Sequence, residues 1–220
     1  MSLQSYQKEF ILHLFKTGAI KFGEFKLKSG RISPYFINMG LAIKDGEGCN
    51  KVGSIYGQAI WKTLGDTFDY IHGPAYKGIP LASLVAEKLW QQYKINKRWG
   101  YDRKEVKAYG DISEKNIVGD LHDNDRVLII DDVITTGKTK VDNWKRLSSL
   151  KEIQPVGIFI AVDREELSKE DMDMLKNSKL MIFKIVNIKQ VFEYLLSQAL
   201  ITKKIWNDFE RYISQYGESN

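Results

Sequence analysis

The run Val127-Leu128-Ile129-Ile130-Asp131-Asp132-Val133-Ile134-Thr135-Thr136-Gly137-Lys138-Thr139 constrains this chain more than any other stretch. Four apolar, mostly β-branched residues end in two carboxylates, and a Thr/Gly-rich turn follows just before a helical pattern begins. The pattern predicts a buried strand feeding a binding loop. In an open α/β sheet, ligands sit at the carboxyl ends of the strands, where a helix N-terminus offers unpaired backbone N–H groups and a positive partial charge. A phosphate suits such a turn. Asp131 and Asp132 refine the choice, because two carboxylates repel a bare polyphosphate but accept hydrogen bonds from sugar hydroxyls, or meet a Mg²⁺ that the ligand carries. The loop therefore asks for a sugar phosphate. Gly137-Lys138-Thr139 ends like a nucleotide-binding P-loop, but that motif needs a glycine five residues before Gly137, where this chain has Asp132. A strand followed by an acidic helix cap explains one acid and one threonine. It does not explain two acids and a turn with hydroxyls or glycine at 135, 136, 137 and 139.

The chain has 220 residues, enough for one α/β domain with a sizeable core, and no composition break suggests a second. The formal charge of +5 suits nucleic acid or a polyanionic substrate. Basic residues interleave with acids along the chain and form no block, which favours the small substrate. Cys49 is the only cysteine, so no intrachain disulfide forms. Gln4, Lys8 and Glu9 precede only a short apolar run, unlike a signal peptide. No segment approaches the roughly 20 apolar residues of a membrane span. A cytoplasmic protein that binds no membrane and no nucleic acid is expected.

Along the chain, residues 3–17 read as an amphipathic helix with Phe10, Ile11, Leu14 and Phe15 on one side and Gly18 as its stop, and His13 as a surface or packing residue. Residues 22–38 alternate about Ser29-Gly30 and predict a hairpin. A helix over 50–64 leads to a strand at 68–71, and the turn Gly73-Pro74-Ala75-Tyr76-Lys77-Gly78 opens a helix over 79–92. The glycines of that turn permit close backbone approach, and Lys77 supplies a point charge for a diphosphate. Residues 94–119 lack apolar periodicity and read as one long loop carrying Arg103, Lys104 and Lys107; loops of that length are usually functional or disordered. Further strands are expected at 156–162, ending in Asp163-Arg164, and at 180–186, with Trp144 and Leu147 as core positions between them and the central strand. The C-terminal third, from Phe192 to Ile213, reads as one or two amphipathic helices. His72 and His122 read as structural and turn residues, and Trp61, Trp90 and Trp99 as core or subunit contacts.

The Asp131–Thr139 run resembles the signature of the type I phosphoribosyltransferases, whose loops bind phosphoribosyl pyrophosphate through two adjacent acids and a following 5′-phosphate cradle. Three other segments resemble one branch of that family, the orotate phosphoribosyltransferases. They are Leu27-Lys28-Ser29-Gly30-Arg31 through Ser33-Pro34-Tyr35-Phe36, then Gly73-Pro74-Ala75-Tyr76-Lys77-Gly78-Ile79, and the order Arg103-Lys104-Glu105-x-Lys107-x-x-Gly110. The resemblance runs from the first helix through Arg164. It implies an α/β fold with a central, mainly parallel sheet flanked by helices. A single domain spans 1–220: helix and hood over about 1–45, core sheet over about 65–190, and C-terminal helices over about 190–216.

The activity it implies is Mg²⁺-dependent transfer of the phosphoribosyl group to orotate, giving orotidine 5′-phosphate and pyrophosphate in pyrimidine synthesis. Carried over residue by residue, Lys28, Tyr76, Lys77, Arg103, Lys104, Lys107, Tyr109, Asp131 and Asp132 would meet phosphoribosyl pyrophosphate. Val133, Ile134, Thr135, Thr136, Gly137, Lys138 and Thr139 would hold its 5′-phosphate side. Lys28, Phe36, Ile37, Thr135 and Arg164 would meet orotate, a planar guanidinium suiting its carboxylate or the carbonyl beside it. Lys107, Arg103, Asp131 and Asp132 would carry the chemistry. The Mg²⁺ would arrive mainly with the substrate, with Asp131 or Asp132 meeting it through water. The resemblance also implies a homodimer in which the 103–111 loop serves the neighbouring subunit. Three positions depart from the usual pattern: Tyr109 where histidine is frequent, Ile37 where an aromatic residue commonly follows Phe36, and Lys138 where a small or hydroxyl residue is common. The competing readings are a purine phosphoribosyltransferase, which shares only the Asp131–Thr139 logic, and a non-catalytic regulator on the same fold that binds nucleic acid. The regulator would have no use for the Arg103–Lys107 cations.

Overall fold

The computed structural model describes residues 2–27, 30–103, 117–134 and 136–217. Lys28, Lys104, Lys107, Tyr109 and Thr135, all expected in the site, lie outside the described residues.

Helix α1 (Ser5–Lys16) buries Phe10, Ile11 and Leu14, and its His13 packs with Nε2 donating to the Ala42 carbonyl at 2.8 Å. The expected hairpin follows as β1 (Ile20–Lys26) and β2 (Ile32–Ile37), an antiparallel pair that sets Ile20 opposite Ile37. Alternation along β2 buries Ser33, Tyr35 and Ile37 and leaves Ile32 and Phe36 exposed, as a strand with one covered face must. A short α2 (Met39–Ala42) leads to α3 (Gly46–Leu64), which starts four residues before the expected position. Gly46 and Gly48 weaken the helical pattern there, but the Asp45 carboxylate accepts the Gly48 N–H at 2.8 Å and caps the first turn.

The remaining strands are β3 (Tyr70–Gly73), β4 (Arg98–Asp102), β5 (Ile117–Gly119), β6 (Arg126–Ile134), β7 (Gln154–Asp163) and β8 (Ile182–Asn187). They form one six-stranded sheet in the order β5-β4-β3-β6-β7-β8, parallel at every pairing except β4 with β5. The helices between and after them are α4 (Gly78–Tyr93), α5 (Gly137–Ser148), α6 (Lys169–Asn177), α7 (Ile188–Ser197) and α8 (Lys203–Tyr216). Buried on both faces, β6 sends Leu128 and Ile130 into a core with α1, α3, α4, α7 and α8, and Val127 and Ile129 into a second with α5 and α6. None of the described helices is long and apolar enough to cross a membrane.

Three elements, β4, β5 and α6, have no counterpart in the sequence reading. The stretch expected as one loop over 94–119 holds β4 and β5 at its two ends. The sequence of β4, Arg-Trp-Gly-Tyr-Asp, offers no apolar run, and its strand state comes from pairing Tyr70 to Arg98 through Gly73 to Tyr101. Helix α6 had no apolar periodicity because only Leu175 is buried in it, yet the reciprocal Ser168/Asp171 capping box was readable as a helix start. The β4–β5 contact is close enough to be tested. A Cβ at Gly100 would lie 2.0 Å from the Val118 carbonyl and 2.1 Å from the Tyr70 hydroxyl. Gly100→Ala is therefore expected to cost about 1–3 kcal/mol, read as a lowered Tm in a thermal melt; an unchanged Tm would show that this edge yields freely.

The C-terminal helices fasten the hairpin to the core. Phe192 of α7 stacks on Phe209 of α8 at 3.9 Å between centroids, and Tyr35 of β2 meets both rings and Tyr212 edge-on. Trp144 and Leu147 are buried as expected, whereas Trp61 and Trp90 stand largely exposed on α3 and α4.

Candidate active site

The sheet order places β3 between β4 and β6, so the chain leaves β3 toward one side and returns on the other. The carboxyl ends of β3 and β6 thus form the crevice where open α/β sheets bind ligands. A cavity of about 330 Å³ opens there, lined by Pro74, Ala75, Tyr76 and Lys77 after β3, by Asp131, Asp132 and Val133 of β6, and by Thr136, Thr139 and Lys140 beyond it. Two segments more than 50 residues apart in sequence, read independently as diphosphate and sugar-phosphate loops, meet at one place.

Within it the two acids are engaged differently. Asp131 is buried and ion-paired to the buried Nζ of Lys140, one turn into α5. Its Oδ1 accepts the Asp132 N–H at 2.9 Å, and its carbonyl accepts the Tyr56 hydroxyl at 2.7 Å. Burial pushes the Asp131 carboxyl above its ordinary value; Lys140 opposes the rise and the like charge of Asp132 adds to it. Burial, with Asp132 and Asp131 nearby, also drives the Tyr56 phenol well above its usual range, so Tyr56 remains a hydroxyl donor. Asp132 turns its Oδ2 to Lys77 Nζ at 2.9 Å and its Oδ1 to the Val133 N–H at 2.8 Å. The Lys77 side chain is 55 % exposed, so this contact is a loose one that an anionic ligand can replace.

The phosphate turn is arranged less simply than its sequence suggests. Thr136 and Thr139 face each other with hydroxyl oxygens 3.3 Å apart, and Thr136, the N-cap residue of α5, makes no side-chain capping bond. The Gly137 N–H, expected as a phosphate donor, instead donates to Asp171 Oδ1 of α6 at 2.7 Å. A Cβ at Gly137 would stand 2.7 Å from the Asp171 carbonyl, so glycine is needed for α5 to begin against α6. Ile134 sends its side chain into the α5–α6 core, leaving only its backbone to the turn, and Lys138 is exposed outside the cavity lining.

The residues expected at the base lie apart from this cavity. Phe36 is 40 % exposed and stacks on Phe25 at 5.6 Å, while Ile37, next along the strand, points to the opposite face and packs into the core. Side chains of successive strand residues cannot converge on one ligand. Arg164, just past β7, is buried. Its Nη2 and Nε donate to Glu166 Oε1 at 3.0 and 3.2 Å, and its guanidinium lies 4.7 Å above the Tyr35 ring. The Tyr35 hydroxyl donates to the same Glu166 oxygen at 2.7 Å. Arg103 follows β4, where its carbonyl accepts from Arg146 Nη2. Sequence reasoning missed Lys140, Tyr56 and Glu166. Lys140 carried the only available signal, a lysine on the first turn of the helix that follows the two acids.

The fold and the crevice define a phosphoribosyl transferase domain, and the family model so described matches residues 43–195. The chain is 39 % identical to the orotate phosphoribosyltransferase of Clostridium acetobutylicum, over 98 % of this chain and 99 % of that one. It is 37 % identical to the enzyme of the same name from Pseudomonas aeruginosa, over 98 % and 100 %. It is also similar to the crystal structure of orotate phosphoribosyltransferase from Francisella tularensis, with a TM-score of 0.79 and 32 % identity over 95 % of this chain and 99 % of that one. The chain belongs to the orotate phosphoribosyltransferases.

Proposed function

We propose that this protein transfers the phosphoribosyl group of phosphoribosyl pyrophosphate to orotate, giving orotidine 5′-phosphate and pyrophosphate. The observation that carries the reading is the convergence of Lys77 with Asp131 and Asp132 at the β3–β6 crevice, together with near full-length similarity to orotate phosphoribosyltransferases. In the reaction the bond from C1′ to the diphosphate oxygen breaks as positive charge grows on the ribose and negative charge on the leaving group. Asp131 and Asp132 accept the ribose hydroxyls and favour a cationic ring beside them. Lys77 exchanges Asp132 for the diphosphate as the substrate enters. Thr135, Thr136 and Thr139 donate hydroxyls to the 5′-phosphate. Arg103, Lys104 and Lys107 draw charge off the departing diphosphate, and exclusion of water from the site protects the activated sugar from hydrolysis.

Among the described residues no group of three or more His, Cys, Asp or Glu could cage a metal. Two carboxylates bordering a phosphate cavity fit a Mg²⁺ that keeps most of its waters and arrives on a diphosphate. Bound there, Mg²⁺ would neutralise the leaving group. On the base side, Arg164 and Phe36 meet orotate with Lys28. The protein acts in the cytoplasm as a homodimer, with the 103–111 segment serving the partner's site and the exposed Trp61 and Trp90 supplying apolar surface for a subunit to cover.

The test is the loss of orotate's ultraviolet absorbance when purified protein meets phosphoribosyl pyrophosphate and Mg²⁺, with hypoxanthine, guanine and uracil run in parallel. Orotate alone is expected to be consumed. Consumption of a purine instead would move the protein to another branch of the family.

A further inference from the structure

Asp102, the last residue of β4, lies behind the cavity and touches two of the segments that build it. Its Oδ1 accepts the Ala75 N–H at 3.0 Å, in the loop that carries Tyr76 and Lys77. Its Oδ2 lies 3.5 Å from Nη1 of Arg146 on α5, the helix that begins at the phosphate turn. The other terminal nitrogen of Arg146 donates to the Arg103 carbonyl, where the chain enters the segment of Lys104 and Lys107. Against the carboxylate sits the fully buried ring of His72 from β3, with Nε2 3.4 Å from Oδ1 and neither ring nitrogen in a well-formed hydrogen bond among the described residues.

A carboxylate in this position is not what packing alone would select, since burying a charge is costly unless it is paired and hydrogen-bonded. Burial does raise the Asp102 carboxyl, but the His72 ring and the Ala75 N–H outweigh it and hold the group below its ordinary value. An ionised acceptor makes a shorter and stronger bond to a backbone N–H than a neutral one. One anion thereby fixes the peptide that aims Lys77, and through Arg146 it fixes the backbone from which the other cations depart.

Building on the function proposed above, we infer that Asp102 and Arg146 are a positioning pair, which sets the Ala75–Lys77 loop and the Arg103 backbone so that their cations converge on the leaving diphosphate. Neither residue touches the substrate in this role. His72 backs the pair by filling the space beneath the carboxylate, and the orotate side of the site is untouched by it.

Steady-state kinetics on the full-length enzyme separates the two sides. Asp102→Ala is expected to raise the KM for phosphoribosyl pyrophosphate about tenfold, the ratio that loss of one charge-assisted hydrogen bond corresponds to. The KM for orotate should stay within about twofold, a factor well under one charge-assisted bond. Asp102→Asn keeps an acceptor for Ala75 and should recover part of the loss. Arg146→Met, at a more exposed position, supplies the same readout should Asp102→Ala fail to fold. The double variant Asp102→Asn/Arg146→Met is expected to cost less than the sum of the two singles, as for residues acting as one unit. Equal losses toward both substrates, or unchanged kinetics in Asp102→Ala, would overturn the positioning role while leaving the activity in place. A wild-type enzyme that consumes no orotate would instead remove the functional reading on which the role is built.

Discussion

Replacing Arg164 with alanine is expected to raise the KM for orotate and, separately, to destabilise the fold by about 3–5 kcal/mol, the usual cost of breaking a buried ion pair by removing one partner. The second effect follows from the surroundings of the pair. The Arg164 side chain is 5 % exposed and that of Glu166 is 1 % exposed, so alanine would leave a carboxylate inside the protein without its cation, held by neutral donors such as the Tyr35 hydroxyl. Glu166 Oε2 already has no hydrogen bond among the described residues, so the carboxylate is incompletely satisfied even with arginine in place. Tyr35 in turn packs against Phe192, Phe209 and Tyr212, so disorder at the pair would spread to the hairpin and to α8. Urea denaturation measures the stability loss, and initial rates at varied orotate measure the other. Arg164→Lys separates them. It keeps the positive charge beside Glu166 but loses the planar fork that suits a carboxylate, so most of the stability should return while the KM for orotate stays high. Equal losses toward both substrates would assign Arg164 a structural role alone.

The second large effect belongs to Lys107. Alanine there is expected to lower turnover about 10²–10³-fold, the size typical of removing one donor to transition-state charge. The KM for phosphoribosyl pyrophosphate should change far less. The reason is where the charge appears. The intact substrate already spreads its negative charge over several oxygens and, on the function proposed above, would meet Lys77 in the cavity. The extra charge on the leaving diphosphate exists only as the bond to C1′ breaks, and a lysine that meets the departing oxygens would act mainly then. Steady-state turnover under saturating substrates is the measurement; a variant that turns over like the wild type would remove Lys107 from the mechanism.

Much of this protein was legible in one dimension. The Val127–Ile130 run announced a strand buried on both faces, because only such a strand can be apolar at every position, and the acids and hydroxyls after it announced a ligand at its end. Asp131, Asp132, Thr136 and Thr139 from that run, with the Pro74–Lys77 turn, now line one cavity. The hairpin and the amphipathic helices at both ends of the chain followed from periodicity. Where local pattern was weak, the sequence was silent or misleading: β4 and β5, read as loop, are strands because of their neighbours, and α6, not read at all, is a helix with a single buried residue.

What the tertiary structure alone decided are the pairings between residues far apart in the chain. Sheet order made β3 and β6 neighbours and so turned two loops into one crevice. Long-range packing set Lys140 on Asp131, buried Arg164 against Glu166 and Tyr35, and put Asp102 behind Ala75. No periodicity carries such information. A residue's pattern reports which face of its own element is apolar, whereas a charge's partner depends on how whole elements are stacked. The chemistry of the site was therefore written in local runs of residues, and its electrostatics only in the fold.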